Sequence, residues 1–481
     1  MREYKGSLSD QWYEYKYWCK TYGEILKFTA SGPIPVLKAL LKYPWIYDLL
    51  KINATAKRVT LGISGTPMKA LDNSIYHLTK FIVGQLKNAV FDPENTVVHD
   101  VMLPPLIVKA MHLNTLVPEA IMSVGVAMCD IHAAHSYMDY MVNHGLPADT
   151  CTFPKIATGA VVSGQFPSAS CIISSNLPCD SGQSSYYAMQ RKLNLPMYTV
   201  DIPYNFNEEE GIDAVKEDWY GAIKFLEKHT GHKMDWDRLK VLCENYNKKL
   251  ELELEEREML RTDRPPLAGA VIQRNHTVHM NVNGGSEEAV EAFQETYDLM
   301  KNAFKNGELA VKNLRYRAVL WNPTTMCYYN WMSWIEQVWG VAILADMETY
   351  GNEKFIDTSS NDAMMSSIAF LSNSGPMSRH TRGSQEHYIR DFNKMAQDYN
   401  ADFVIVAAHM SCRNSQAMTG IIREECKKHN MPLCMIDYEL FDNRIVSRQG
   451  IRDQISNFMR TVMHAEPLNE SLLVIDDEKN W

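Results

Sequence analysis

The sequence contains no Cys-x-x-Cys pair, no Gly-x-Gly-x-x-Gly, no Gly-x-x-x-x-Gly-Lys-Ser/Thr, no basic excess and no run of 18 apolar residues. Each absence removes a class of function. Without Cys-x-x-Cys, zinc ribbons and thioredoxin-type redox motifs are disfavoured. Without a glycine-rich phosphate loop, the chain is not expected to bind ATP itself. A formal net charge of -10 argues against a nucleic-acid partner, because phosphate backbones call for a basic face. The region WMSWIEQVWGVAILAD carries Glu336 and ends at Asp346, so no membrane span is expected. The opening MREYKGSLSDQWYEYKYWCK lacks an apolar core and a small-residue cleavage site, so no secretory signal is expected and a cytoplasmic location is.

What remains is an ordinary globular composition, 46% hydrophobic over 481 residues, with room for roughly two to four domains. Residues 1–95 are aromatic-rich and read as a mainly helical N-terminal extension, with PVLKALLKYPWIYDLLK broken by Pro44. From Thr96 short apolar strands alternate with helices, as in VVHDVML, the proline-opened PPLIVKAMHLN, and PEAIMSVGVAM. That alternation predicts a first α/β lobe over 96–206 with a parallel sheet. Residues 207–311 read as a helical insert, with a stop at Gly231 and an N-cap at Asp235. A second α/β lobe is expected over 312–481, opening with strands YRAVLW and VAILAD.

The two lobes echo each other. SASCIISSNLPCDSG followed by LNLPMYTVDIPY matches ADFVIVAAHMSCRNS followed by HNMPLCMIDYELFD. Each reads as buried strand, cysteine-bearing turn, helix, then an Asn-x-Pro step into a strand ending in an acidic turn. Cys179 and Cys412 thus fall at equivalent places, beyond the carboxyl ends of strands, where open parallel sheets hold ligands. A thiol at the head of a helix gains from backbone N–H groups and the helix dipole, which favour thiolate. Cys151, in PADTCTFPKIATG, is a third thiol at a helix start. Three such thiolates can hold one iron-sulfur cluster if the lobes bring them together.

A cysteine is more often a small buried hydrophobe than a ligand. That plainer reading is given to Cys171 and Cys434 in strands and to Cys243 and Cys426 in helices, while Cys19, Cys129 and Cys327 have no partner pattern. His132 and His135 share a helix face but lack the His-Glu-x-x-His pattern, which argues against a zinc pair. His409, just before Cys412, is better placed to line the same cavity, with an ordinary hydrogen-bonded histidine as the alternative.

The segments DTCTFPKIATG, IISSNLPCDSGQSSYYAMQRKLNLPMYTVDIPY and FVIVAAHMSCRNSQAMTGIIREECKKHNMPLCMIDYELFDNRIVSRQGIRDQISNFM resemble subunits of the 2-hydroxyacyl-CoA dehydratase and class I benzoyl-CoA reductase family, over about residues 96–465. The resemblance implies two flavodoxin-like (Rossmann-like) parallel-sheet lobes with helices. It also implies a heterodimer with a homologous second subunit, and a 4Fe-4S cluster on Cys151, Cys179 and Cys412. An ATP-hydrolysing iron-sulfur activator would inject one electron, and an acyl-CoA would lose water through a ketyl radical. An aryl-CoA reductase and a non-catalytic electron-relay subunit are the alternatives. Pro118-Glu119 resembles a Pro-Glu motif of the substrate-bearing subunit, which makes Glu119 a site carboxylate. The family's serine-rich turn is absent: VVHDVMLPPL has Val101 there, leaving His99 or Asp100 to take its role, or the partner to bind substrate.

Overall fold

The computed structural model describes residues 7–52, 63–204, 208–272, 283–323, 326, 328–350, 354–375, 377–383 and 385–476. Cys327 lies outside the described residues. Two four-stranded parallel sheets stand among helices. The first comprises β1 (Thr96–His99), β2 (Asn114–Leu116), β3 (Cys171–Ser175) and β4 (Met197–Val200), ordered β2-β1-β3-β4. Val97 lies opposite Thr115 on one side and Cys171 on the other, and Ile173 lies opposite Tyr198. The second comprises β5 (Tyr316–Trp321), β6 (Val341–Asp346), β7 (Phe403–His409) and β8 (Leu433–Tyr438), ordered β6-β5-β7-β8. Its register sets Ala318 opposite Phe403 and Val404 opposite Leu433. Every residue of β3, β6 and β7 is buried, as befits parallel strands covered on both faces.

Both sheets follow the flavodoxin-like order, second strand, first, third, fourth, so each has a switch point between its first and third strands. The echo in the sequence has a physical basis here. Asn194 and Asn430 both adopt left-handed backbone, with φ of 53° each, and end the helices that precede β4 and β8. Two residues on, Pro196 and Pro432 offer their carbonyls to Ile172 and Val404 at 2.9 and 3.0 Å, starting the ladders to β3 and β7. Asparagine tolerates the left-handed turn and proline cannot continue a helix, so the tripeptide stops one element and starts the next.

Two expectations change. VVHDVML is a strand only to His99, because the Asp100 carboxylate accepts from the backbone of Met102 at 2.9 Å and bends the chain. PEAIMSVGVAM is not a strand: β2 ends just before it, and Ala120–Val126 winds as a π-helix. A short apolar run carries too little periodicity to separate the two. Gly231 (φ +77°) does end the Glu208–Thr230 helix, and Asp235 caps Trp236–Arg261 by accepting from the Arg238 backbone at 2.9 Å.

The N-terminal helices are built into the body. Leu8–Ala30 packs on Thr66–Phe91, which packs in turn on Glu287–Lys305. There Asn73 donates to the carbonyl of Ala292 and the hydroxyl of Thr296, both at 3.0 Å. From the same helix Gln85 accepts from the Val117 backbone at 2.6 Å, tying the extension to the segment after β2. No helix among the described residues is long and apolar enough to cross a membrane.

The helix Thr152–Val162, whose N-cap is Cys151, packs against Ile131–Asn143. Gly159 lets the backbones meet: a Cβ there would stand 2.4 Å from the Tyr137 carbonyl oxygen. Gly159→Ala is therefore expected to displace the helix and cost on the order of 1–3 kcal/mol in urea unfolding. An unchanged midpoint would show that this contact does not set the helix position.

Candidate functional site

Cys151, Cys179 and Cys412 are each the N-cap residue of a helix, Thr152–Val162, Asp180–Leu193 and Arg413–Lys428. Cys179 follows β3 and Cys412 follows β7, the third strand of each sheet, so topology makes them equivalent. All three are partly exposed free thiols, whereas Cys129, Cys171, Cys243, Cys426 and Cys434 are buried. Each of the three lies within electrostatic range of another, and Cys151 feels both Cys179 and Cys412. A charge on any one raises the cost of ionising its neighbours.

The three thiols differ in their preparation. Burial pushes Cys151 well above its ordinary value, and Glu439, Cys179 and Cys412 push the same way. Burial also raises Cys179, against the backbone N–H groups of Gly182 and Ser181. Burial opposes ionisation of Cys412 too, yet His409 and the N–H of Ser415, 3.4 Å from Sγ, together outweigh it and hold that thiol below its ordinary value. Of the three sulfurs, Cys412 is thus the one whose surroundings favour the thiolate, while those of Cys151 and Cys179 favour the thiol.

Cys412 and Glu439 both favour the charged form of His409. The ring Nε2 lies 2.7 Å from Glu439 Oε2, as an ion pair rather than an aligned hydrogen bond, and both side chains are all but fully buried. Desolvation works against protonation of His409, but the neighbouring Cys412 and Glu439 outweigh it and raise its pKa to about 9. The other oxygen of Glu439 accepts from Thr152 Oγ1, and Thr152 Oγ1 accepts from the backbone of Phe441 at 3.3 Å. Thr152 adjoins Cys151 on the first lobe; Glu439 follows β8 on the second. The carboxylate therefore joins the two lobes between two of the thiols.

Glu119 and His99 belong to a second buried group, at the end of β1. Tyr186 donates to Glu119 Oε2 at 2.8 Å, from the helix that Cys179 caps. Burial and the nearby Asp100 raise the Glu119 carboxyl to about 8. Burial lowers His99 to about 4, and neither ring nitrogen has a hydrogen-bond partner. Asp100 is committed elsewhere: its carboxylate accepts from the Ser175 hydroxyl at 2.7 Å and from the Ser175 backbone at 2.8 Å, clamping β1 to β3. His132 and His135 stack edge to face, and His135 Nε2 pairs with Asn443 Oδ1 at 2.8 Å. Among the described residues no three His, Cys, Asp or Glu side chains stand close enough to hold a single metal ion.

Sequence reasoning passed over Glu439 and Thr152. The available signals were the acidic turn in MIDYELFD and a hydroxyl beside a candidate thiol. Neither spacing nor charge indicated that they meet, 287 residues apart.

The arrangement is that of a two-lobed α/β protein with thiols from both lobes gathered at the carboxyl ends of its sheets. A family model described as 2-hydroxyglutaryl-CoA dehydratase, D-component, matches residues 101–462, and the chain belongs to that family. It is 27% identical over 139 residues to the alpha subunit of (R)-2-hydroxyglutaryl-CoA dehydratase of Acidaminococcus fermentans, covering 28% of this chain and 29% of that one. It is 22% identical over 184 residues to the (R)-phenyllactyl-CoA dehydratase alpha subunit of Clostridium sporogenes, covering 37% of this chain and 45% of that one. The matched segments thus span less than half the length of either relative.

Glu439→Ala, which strands a buried imidazolium, should cost about 3–5 kcal/mol in urea unfolding. The pH dependence is the sharper readout. His409 binds its proton more tightly when folded, so its contribution is complete below its ordinary 6.5 and fades as pH rises through about 9. Burial opposes the charge on Glu439, but the His409 partner prevails and depresses its pKa. The carboxylate's contribution is therefore present above its ordinary 4.5 and is lost as pH falls below it. Glu439→Gln should flatten both limbs of stability against pH. Superimposable curves for variant and wild type would exclude the pairing.

Proposed function

We propose that this chain is a subunit of a 2-hydroxyacyl-CoA dehydratase in which Cys151, Cys179 and Cys412 hold a 4Fe-4S cluster. The observation that carries the reading is the convergence of three helix-capping thiols from two lobes within electrostatic range of one another. The donor set suits the group, since such clusters take thiolates. When bound, such a cluster supplies an electron at low potential and a Lewis-acidic iron for the thioester or its hydroxyl.

The chain's own residues do the rest. His409 favours the thiolate form of Cys412, and Cys412 and Glu439 together favour the charged form of His409. Glu119, with its carboxyl near 8, keeps its proton at neutral pH in a buried site and can give or take one during loss of a hydroxyl and a neighbouring hydrogen. His99, neutral at that pH, is a proton acceptor of complementary kind. A homologous second subunit completes the enzyme, a reading supported by the subunit names of both relatives. An ATP-hydrolysing iron-sulfur activator is the electron source in this proposal.

Anaerobic purification tests the cluster: iron and acid-labile sulfide should be present in equal amounts, lost in Cys151→Ala, Cys179→Ala and Cys412→Ala, and kept in Cys171→Ala. A colourless, iron-free wild type overturns the reading. With partner subunit, activator, ATP and a reductant, a 2-hydroxyacyl-CoA should lose water; net reduction of an aryl-CoA instead would mark a reductase. Glu119→Gln should slow the dehydration about 10²- to 10⁴-fold at unchanged iron content. An undiminished rate in that variant would remove Glu119 from proton transfer.

A further inference from the structure

The segment after the Asn361–Ser374 helix buries more positive charge than it neutralises. Arg379, His380 and Arg382 are 4%, 4% and 2% exposed. One carboxylate, Asp391, serves this group, with Arg379 Nη2 at 2.5 Å and His380 Nε2 at 2.8 Å from the same oxygen. Its other oxygen lies 3.6 Å from Nε of the exposed Arg390. Among the described residues Arg382 has no such partner. Its Nε and Nη2 atoms, the two that form one edge of the guanidinium fork, are buried without a hydrogen bond. Arg379 Nε and His387 Nδ1 are buried and unpaired as well.

A guanidinium cannot shed its charge, and an unpaired buried charge costs several kcal/mol. An edge offering two parallel N–H groups matches the two oxygens of a carboxylate or phosphate. The place in the fold points the same way. Arg382 stacks on Tyr204, 4.1 Å from its ring centre, just beyond the carboxyl end of β4, while His380 lies edge to face with Trp321 at the end of β5. Next to Trp321, Asn322 donates to Ser415 Oγ at 2.8 Å, in the first turn of the helix that Cys412 caps. The unpaired fork therefore stands between the lobes, at the sheet ends where the thiols also lie.

We propose that Arg382, flanked by Arg379 and His387, is an oxyanion-binding subsite that takes a carboxylate or phosphate group. Assigning that group to an acyl-CoA rests on the dehydratase reading; the subsite itself does not. The two sources are the phosphates of the CoA moiety and a carboxylate at the far end of the acyl chain.

Binding of inorganic phosphate, glutarate and CoA to the full-length chain, followed by calorimetry and by thermal stabilisation, tests this. At least one probe should bind, and Arg382→Gln should weaken it by about tenfold or more, whereas the exposed Arg191→Gln should not. Phosphate and CoA binding assigns the site to the CoA moiety, glutarate binding to the acyl end. Without any anion, Arg382→Met should melt no lower than wild type, since it removes an uncompensated charge. Equal binding by Arg382→Gln, no binding of any probe, or a marked fall in the anion-free melting point of Arg382→Met would each overturn the proposal. Iron content separates the two readings: an iron-free chain that still binds anions through Arg382 loses the dehydratase assignment and keeps the subsite.

Discussion

The contact on which the site depends is the buried carboxylate of Glu439 between Thr152 and His409. An ion pair so deeply buried is a poor source of stability, because the desolvation of both charges offsets most of their attraction. Its value is positional. It fixes the helix start that carries Cys151 relative to the turn beyond β7 that carries Cys412, and those residues come from different lobes. Two lobes meeting only through apolar surface could slide by a fraction of a side chain; a carboxylate with two different partners on its two oxygens has one comfortable place.

Each lobe repeats one solution at its own switch point. In the first, Asp100 after β1 holds Ser175 at the end of β3; in the second, Asn322 after β5 holds the carbonyl of Ala407 in β7 and the hydroxyl of Ser415 beyond it. A short polar side chain beyond the first strand thus spans to the third, and the chain then turns into a helix with a thiol at its cap. Asp100 in this sequence does structural duty of that kind, which argues against a role for it in place of a serine. A carboxylate is tolerated there because both its oxygens find donors, one from the Ser175 N–H and hydroxyl and the other from the Met102 N–H.

Much of this was legible because it is local. The thiol-bearing turns, the Asn-x-Pro steps, the Gly231 stop and the Asp235 cap are short patterns whose mechanism acts over a few residues. The failures are of two kinds. PEAIMSVGVAM was ambiguous because an apolar run of that length suits strand or helix, and its neighbours decide: β2 is already complete at Leu116 and a helix from the N-terminal region packs beside it. Glu439, Thr152 and the Asn73 contact were invisible because each joins residues more than 200 positions apart. Nothing in the periodicity of either partner encodes the other.

The electrostatics of the thiols follow from that long-range contact. Cys412 and Glu439 favour a proton on His409, the charged imidazole lowers Cys412, and any negative charge there raises the cost of ionising Cys151 and Cys179 nearby. Three thiolates in one cleft would repel one another, so the three do not ionise independently. A soft cation changes the balance, since it favours thiolate over thiol at every ligand it reaches. On the proposed reading, the three sulfurs would give up their protons on holding the cluster, Cys412 of the second lobe most easily. The asymmetry between otherwise equivalent cysteines, Cys412 lowered and Cys179 raised, has a cause in sequence: His409 stands before Cys412, and Asn176 takes the corresponding place before Cys179.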